Sequence, residues 1–142
     1  MPPDIWGRHL WMSIHFIALG YPMEPTDENQ ATYRDFYNDL WKVVPCYKCA
    51  NNYKLHLEEL PVEGFLGNKD LLFEWTVRLH NIVNRDLGKP LMSLHDAQKL
   101  YRGYLTQTSS GNPSGSTVAI YVLLVVVIAS LSWYLVTKHL KK

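Results

Sequence analysis

Cysteine is scarce in this chain. Only two occur among 142 residues, so no framework of several disulfides can brace it and no second C-x-x-C can complete a four-cysteine zinc site. A surplus of one charge is also missing. The 14 basic side chains nearly balance the 13 acidic ones, and without Lys138, Lys141 and Lys142 the remainder is 11 against 13, a net −2. That leaves no basic footprint for a phosphate backbone and excludes nucleic acid as the expected partner. No alternating apolar and polar run suggests a strand. Residues 1–4 lack a basic stretch leading into an apolar one, and no glycine follows Met1. Neither a secretory leader nor a myristoyl anchor is therefore expected.

Aromatic residues are plentiful, with five Trp, nine Tyr and four Phe. In a domain of about 105 residues that is enough apolar bulk for one small core. Periodicity predicts helices throughout. Leu10, Ile14 and Ile17 recur at helical spacing between Gly7 and Leu19, with Trp11 and His15 four apart on the neighbouring stripe. After Pro22 and Pro25, a second helix is expected from Thr26 through Tyr33, Phe36, Tyr37, Leu40 and Trp41. A third starts at the cysteines and continues through Tyr53, Leu57 and Leu60 to Pro61. A fourth runs from Asp70 to Leu87, where Gly88 and Pro90 form a stop, and Ser93 opens a fifth through Leu100, Tyr101, Tyr104 and Leu105.

Two segments follow this domain of residues 1–105. Residues 106–117, TQTSSGNPSGST, have the composition of a flexible tether. Residues 118–136 hold no charge over 19 positions, about 28 Å of helix, which matches a bilayer core and predicts a single transmembrane helix. Trp133 and Tyr134 would sit at the interface, and the basic tail 137–142 would follow as an anchor. Insertion after synthesis would leave the N-terminal domain in the cytosol, while the positive tail favours the reverse. The cytosolic placement is the expectation.

The chemistry concentrates in two places. Cys46 and Cys49 form a C-x-x-C directly behind Pro45, with Lys48 between them. Proline suits the first helical position, and a helix N-terminus beside a lysine lowers a thiol's pKa, which favours redox cycling between dithiol and disulfide. A zinc site recruiting His56, or an inert local disulfide, are the other readings of the same spacing. The second place is the fourth helix. His80, Asn81 and Asn84 share one polar face of a helix whose other positions include Trp75, Val77, Leu79 and Val83. Bundles commonly build cofactor sites from such facing side chains.

In order, these elements resemble the Erv/ALR family of FAD-linked sulfhydryl oxidases. Gly7, Arg8, Trp11 and His15 match a G-R-x-x-W-x-x-x-H helix, Cys46 and Cys49 the redox pair, and Trp75, His80, Asn81, Val83 and Asn84 a W-x-x-x-x-H-N-x-V-N signature extended by Gly88, Lys89 and Pro90. The likeness covers about residues 4–105. It implies an all-α fold, a four-helix bundle with a short fifth helix around FAD, assembled as a homodimer. It further implies that Cys46 exchanges disulfides with protein thiols and that Cys49 lies beside the flavin ring as a charge-transfer thiolate. Electrons then pass through FAD to O₂ and give hydrogen peroxide. Gly7, Arg8, Trp11, His15, Tyr53, Trp75, His80, Asn81, Val83, Asn84, Lys89 and Tyr101 are the implied cofactor-binding set, with Lys89 or Arg85 facing the pyrophosphate.

The chain also departs from that family. It lacks the cysteine pair that often braces the fifth helix in cellular members and the shuttle C-x-x-C that many members carry. Client thiols would therefore reach Cys46 directly or through a separate thioredoxin-like carrier, similar to the compact viral oxidases, at a virion or host endomembrane. The competing class is a tail-anchored helical adaptor with a structural C-x-x-C and no enzymatic activity.

Overall fold

The structure, a computed structural model, describes residues 1–109 and 115–140, with side chains for residues 1–106, 119–130, 132 and 133. Among the described residues there are six α-helices and no strand: α1 (Pro3–Leu19), α2 (Asp27–Asp39), α3 (Tyr47–Glu59), α4 (Lys69–Asp86), α5 (Leu94–Ser109) and α6 (Gly115–Leu140). Single 3-10 turns at Leu40–Val43 and Val62–Phe65 link α2 to α3 and α3 to α4. The chain divides into two compact units, Met1–Tyr101 and Arg102–Lys142.

Short polar signals fix the helix ends. Thr26 caps α2 reciprocally, with Thr26 Oγ1 accepting from Asn29 N at 3.2 Å and Asn29 Oδ1 accepting from Thr26 N at 3.1 Å. Asn68 caps α4 by accepting from Leu71 N, and Ser93 does the same for Asp96 N ahead of α5. At the end of α4 only Gly88 adopts a positive φ, +64°. There Lys89 N donates to Asn84 O at 2.8 Å and Gly88 N to Arg85 O at 3.0 Å, the paired bonds of a Schellman stop. This turn folds Lys89 back beside the end of α4.

In the first unit α1 packs along α4, and α3 packs on the 3-10 turn after α2. The core consists of Ile14, Tyr37, Val62, Leu72, Phe73, Trp75 and Leu79, all essentially excluded from solvent. Four buried aromatics with polar tips send them to backbone carbonyls on other segments. Tyr37 donates to Ile14 O, Tyr53 to Tyr37 O, Tyr21 to Leu66 O and Trp75 to Leu60 O. Burial pushes the Tyr37 and Tyr53 hydroxyls well above the usual phenol range, so both stay neutral donors. Among the described residues no buried side-chain nitrogen or oxygen lacks a partner, which is what a small core needs to keep its polar atoms from costing stability.

Two elements differ from expectation. The fifth helix is not short: it spans 16 residues and ends at Ser109, and α6 begins at Gly115. Both ends of the segment read as a tether are thus helical, and residues 110–114 lie outside the described residues. Once a helix is nucleated each further residue adds a backbone bond without needing an apolar partner, and Thr106 Oγ1 bonds back to Gly103 O at 3.0 Å rather than opposing the helix. Helix α6 is continuous over 26 residues, and Ile120 to Ile128 are each 50–65% exposed where they are apolar and large. Among the described residues no helix is long and apolar enough to cross a membrane. The expected span 118–136 includes positions 118, 131 and 134–136, whose side chains lie outside the described residues.

Candidate functional site

Cys46 and Cys49 are joined as a disulfide, with their Cα atoms 5.2 Å apart. Pro45 does not occupy the first helical position. Cys46 is itself the N-cap of α3, with extended backbone, and its sulfur accepts from Cys49 N at 3.3 Å. The reason is local: a capping acceptor at the residue before the helix satisfies an orphan N–H, and sulfur fills that role here, which moves proline one place outward. Both cysteines are half-buried, whereas Tyr47 and Lys48 between them are exposed and Ala50 after them is buried. With the sulfurs bonded to each other, neither is a thiolate ready for zinc.

A second constellation joins α1, α4 and α5. The Trp11 indole lies parallel to the His80 imidazole, centroids 4.2 Å apart and 2° between planes. His15, buried beneath them, meets His80 through Nε2···Nδ1 at 3.1 Å and Thr76 through Nδ1···Oγ1 at 2.8 Å. Tyr101 and Phe73 close the far side of His15 at centroid distances of 4.8 and 5.8 Å. Burial, aided by the neighbouring His80, lowers the His15 pKa to about 3. Burial and then the Lys89 charge lower that of His80 to about 4. Both rings are neutral at physiological pH.

One stripe of α1 therefore carries Gly7, Trp11 and His15 at intervals of four. A Cβ at Gly7 would meet nothing within 4 Å, so the backbone is open there. Exposed Arg8 lies on the same helix, and Lys89 is close enough to His80 to shift it. A flat π surface, an open backbone and two cations suit a ligand that combines heteroaromatic rings with an anionic linker. The residues present fit a flavin dinucleotide.

Other expected site residues land differently. Trp75 is fully buried, edge-on to Tyr37 at 4.9 Å, and Tyr53 is tied to α2; the contacts described for both are core contacts. Asn81 uses both ends of its amide on one loop residue, donating to Met92 O at 2.8 Å and accepting from Met92 N at 3.0 Å. It holds the loop after Gly88 against α4. Val83 and Asn84 are half-buried on the same helix, and the Asn84 side chain has no hydrogen bond among the described residues. Arg85 is committed elsewhere. Its guanidinium bonds both Glu59 oxygens, at 3.1 and 3.3 Å, and Asp86, which leaves Lys89 as the cation near His80.

Residues without an expected role also take part. Thr76 and Phe73 complete the ring cluster, and their signal was the i, i+4 relation of Thr76 to His80 and a hydroxyl placed among apolar helix positions. His56 is buried on α3 and meets Asp86 at 3.3 Å. A groove of about 250 Å³ lies between Trp6, Leu10 and Ser13 of α1 and Val43, Val44 and Pro45. It lies on a different face of α1 from Trp11 and His15.

A helical bundle with a C-x-x-C disulfide at one helix N-terminus and a stacked ring face suited to a dinucleotide defines a helical thiol–disulfide redox protein. Residues 8–102 match the model of the Erv1 / Alr family. This chain belongs to that family. It is 37% identical over 107 residues to the probable FAD-linked sulfhydryl oxidase of Acanthamoeba polyphaga mimivirus, covering 75% of each chain. It is 29% identical over 103 residues to the mitochondrial FAD-linked sulfhydryl oxidase Erv1 of Saccharomyces cerevisiae, covering 71% of this chain and 53% of that one. The crystal structure of the FAD binding domain of yeast Erv1 superposes with a TM-score of 0.63 at 28% identity, over 67% of this chain and 89% of that one. The chain thus spans three quarters of the viral relative but about half of the yeast protein.

Proposed function

We propose that this protein is an FAD-linked sulfhydryl oxidase that makes disulfides in protein thiols. The observation that carries the reading is the Cys46–Cys49 disulfide capping α3 in a chain of this family. A client thiolate attacks the Cys46 sulfur, the bond to Cys49 breaks, and Cys49 leaves as a thiolate while a client–Cys46 mixed disulfide forms. A second client thiolate then attacks the client sulfur of that bond and releases Cys46. The client has lost two electrons and two protons, and the enzyme holds them as a dithiol. FAD held at the Trp11–His80 site would supply the redox chemistry that returns the electron pair of the dithiol to O₂ as hydrogen peroxide.

The chain's own residues bind and orient. Trp11 and His80 supply a stacking face, Lys89 and Arg8 positive charge for the pyrophosphate, and Gly7 the unobstructed backbone. Tyr101 supports His15 from below. Asn81 and Gly88 set the loop that carries Lys89. Val83 and Asn84 add the remaining edge of α4, with Trp75 and Tyr53 as the packed wall behind.

Oxygen uptake driven by dithiothreitol tests the cysteine roles. Cys46→Ser and Cys49→Ser should each reduce it to background while flavin stays bound; uptake surviving in both variants would overturn the assignment. The adaptor alternative is not favoured, because a structural clip gives no reason for a ring face suited to a dinucleotide.

Four features belong to the same reading. Residues 118–136 anchor the protein in a membrane, supported by 19 uncharged positions followed by lysines, and a protein released by alkaline carbonate would contradict this. The oxidase domain faces the cytosol, as in a viral-type enzyme acting at a virion or host endomembrane, and clients reach Cys46 directly or through a thioredoxin-like carrier. Family likeness supports a homodimer, which sedimentation would test.

A further inference from the structure

The hydrogen bonds beneath the ring face have only one consistent direction. Thr76 Oγ1 lies 2.7 Å from Phe73 O and 2.8 Å from His15 Nδ1. A carbonyl oxygen cannot donate, so the single hydroxyl proton of Thr76 must point at Phe73 O. Thr76 then meets His15 with a lone pair, and His15 Nδ1 must carry the proton. A neutral imidazole has one N–H, so His15 Nε2 is bare. Across the 3.1 Å contact the donor has to be His80 Nδ1, which leaves His80 Nε2 bare as well.

That last nitrogen faces the site. No described residue bonds His80 Nε2, and no buried side-chain nitrogen is left without a partner among the described residues, so Nε2 opens toward solvent or ligand beside the Trp11 stack. Burial keeps both rings neutral, which a chain of single protons requires.

We propose that Thr76 is a positioning residue that fixes the proton arrangement of His15 and His80, so that the binding face presents His80 Nε2 as a hydrogen-bond acceptor and selects an N–H or O–H donor of the flavin nucleotide. The proposal rests on the oxidase reading for the identity of the ligand, but the direction of the chain does not depend on it. Replacing the Thr76 oxygen by a methyl group removes the acceptor for His15 Nδ1–H. The His15 proton then moves to Nε2 and donates to His80 Nδ1, and the His80 proton moves to Nε2. The whole relay reverses, and an acceptor becomes a donor at the ligand.

The test is a long-range ¹H–¹⁵N correlation of the imidazole rings in ¹⁵N-histidine-labelled full chain in detergent, with and without FAD. Wild type should show the Nδ1–H tautomer at both His15 and His80. Thr76→Val should show Nε2–H at both, with FAD dissociation constant raised about tenfold or more, and Thr76→Ser should retain the wild-type tautomers and affinity. An Nε2–H tautomer at either ring in wild type overturns the proposal without any variant. Unchanged tautomers in Thr76→Val, or FAD binding that is equal or tighter after reversal, would do so too. A protein that showed the wild-type tautomers but bound no FAD would instead sink the oxidase reading.

Discussion

The Trp11 indole and the His80 imidazole lie face to face, centroids 4.2 Å apart, although 69 residues separate them in sequence. Only the packing of α1 along α4 brings them together. Trp11→Ala removes the larger ring of this stack. An aromatic stack is worth roughly 0.5–1.5 kcal/mol beyond its burial, so the variant should bind FAD at least several-fold more weakly. Fluorescence titration of flavin into apoprotein measures it.

Acid should loosen the same site. His15 and His80 are held neutral with pKa values lowered to about 3 and about 4, while an unfolded histidine takes up its proton near 6.5. Below that value the unfolded chain binds protons that the native chain does not, so stability falls as pH drops from about 6.5 toward about 4. Thermal unfolding at pH 7 and pH 5 should show a lower Tm at pH 5, and His15→Asn should reduce that difference, with the remainder due to His80.

Arg85 provides a negative contrast. Its guanidinium is tied to Glu59 and Asp86 on the surface, and hydrogen bonds to these carboxylates raise its pKa while lowering that of Glu59. Exposed pairs of this kind add little to stability, because solvent screens them. Arg85→Ala should therefore lower Tm by no more than a few degrees and leave the FAD to protein ratio unchanged. Loss of flavin would return Arg85 to the pyrophosphate.

Gly88 carries the strain-free turn that ends α4. At φ +64° an alanine costs about 1 kcal/mol, and about 4–8 °C in Tm for a domain of this size. Gly88→Ala should show that loss in a thermal melt, together with weaker flavin retention as Lys89 and the Met92 loop lose their support from Asn84 and Asn81.

Much of this architecture is legible in short signals. Thr26, Ser93 and Gly88 mark helix ends because their side chains, or the lack of one, answer specific orphan groups. The Trp11, His15 and His80 positions are legible from four-residue spacing and family motif together. What sequence hides is which partner a polar group chooses. Asn81 turns to the Met92 backbone, Arg85 to Glu59 across from α3, and Cys46 to its own helix N-terminus, displacing Pro45 from it. The Thr76 hydroxyl stands out among apolar helix positions, but its partner is hidden until α1 brings His15 within 2.8 Å of it. Long-range choices of this kind depend on packing, which periodicity does not specify.

The most direct test is the visible spectrum of the purified full chain before and after adding a dithiol in air. The oxidase account predicts yellow protein whose flavin absorbance bleaches, then recovers as thiol is consumed and hydrogen peroxide appears. A well-folded, colourless protein that cannot be reconstituted with FAD would contradict it.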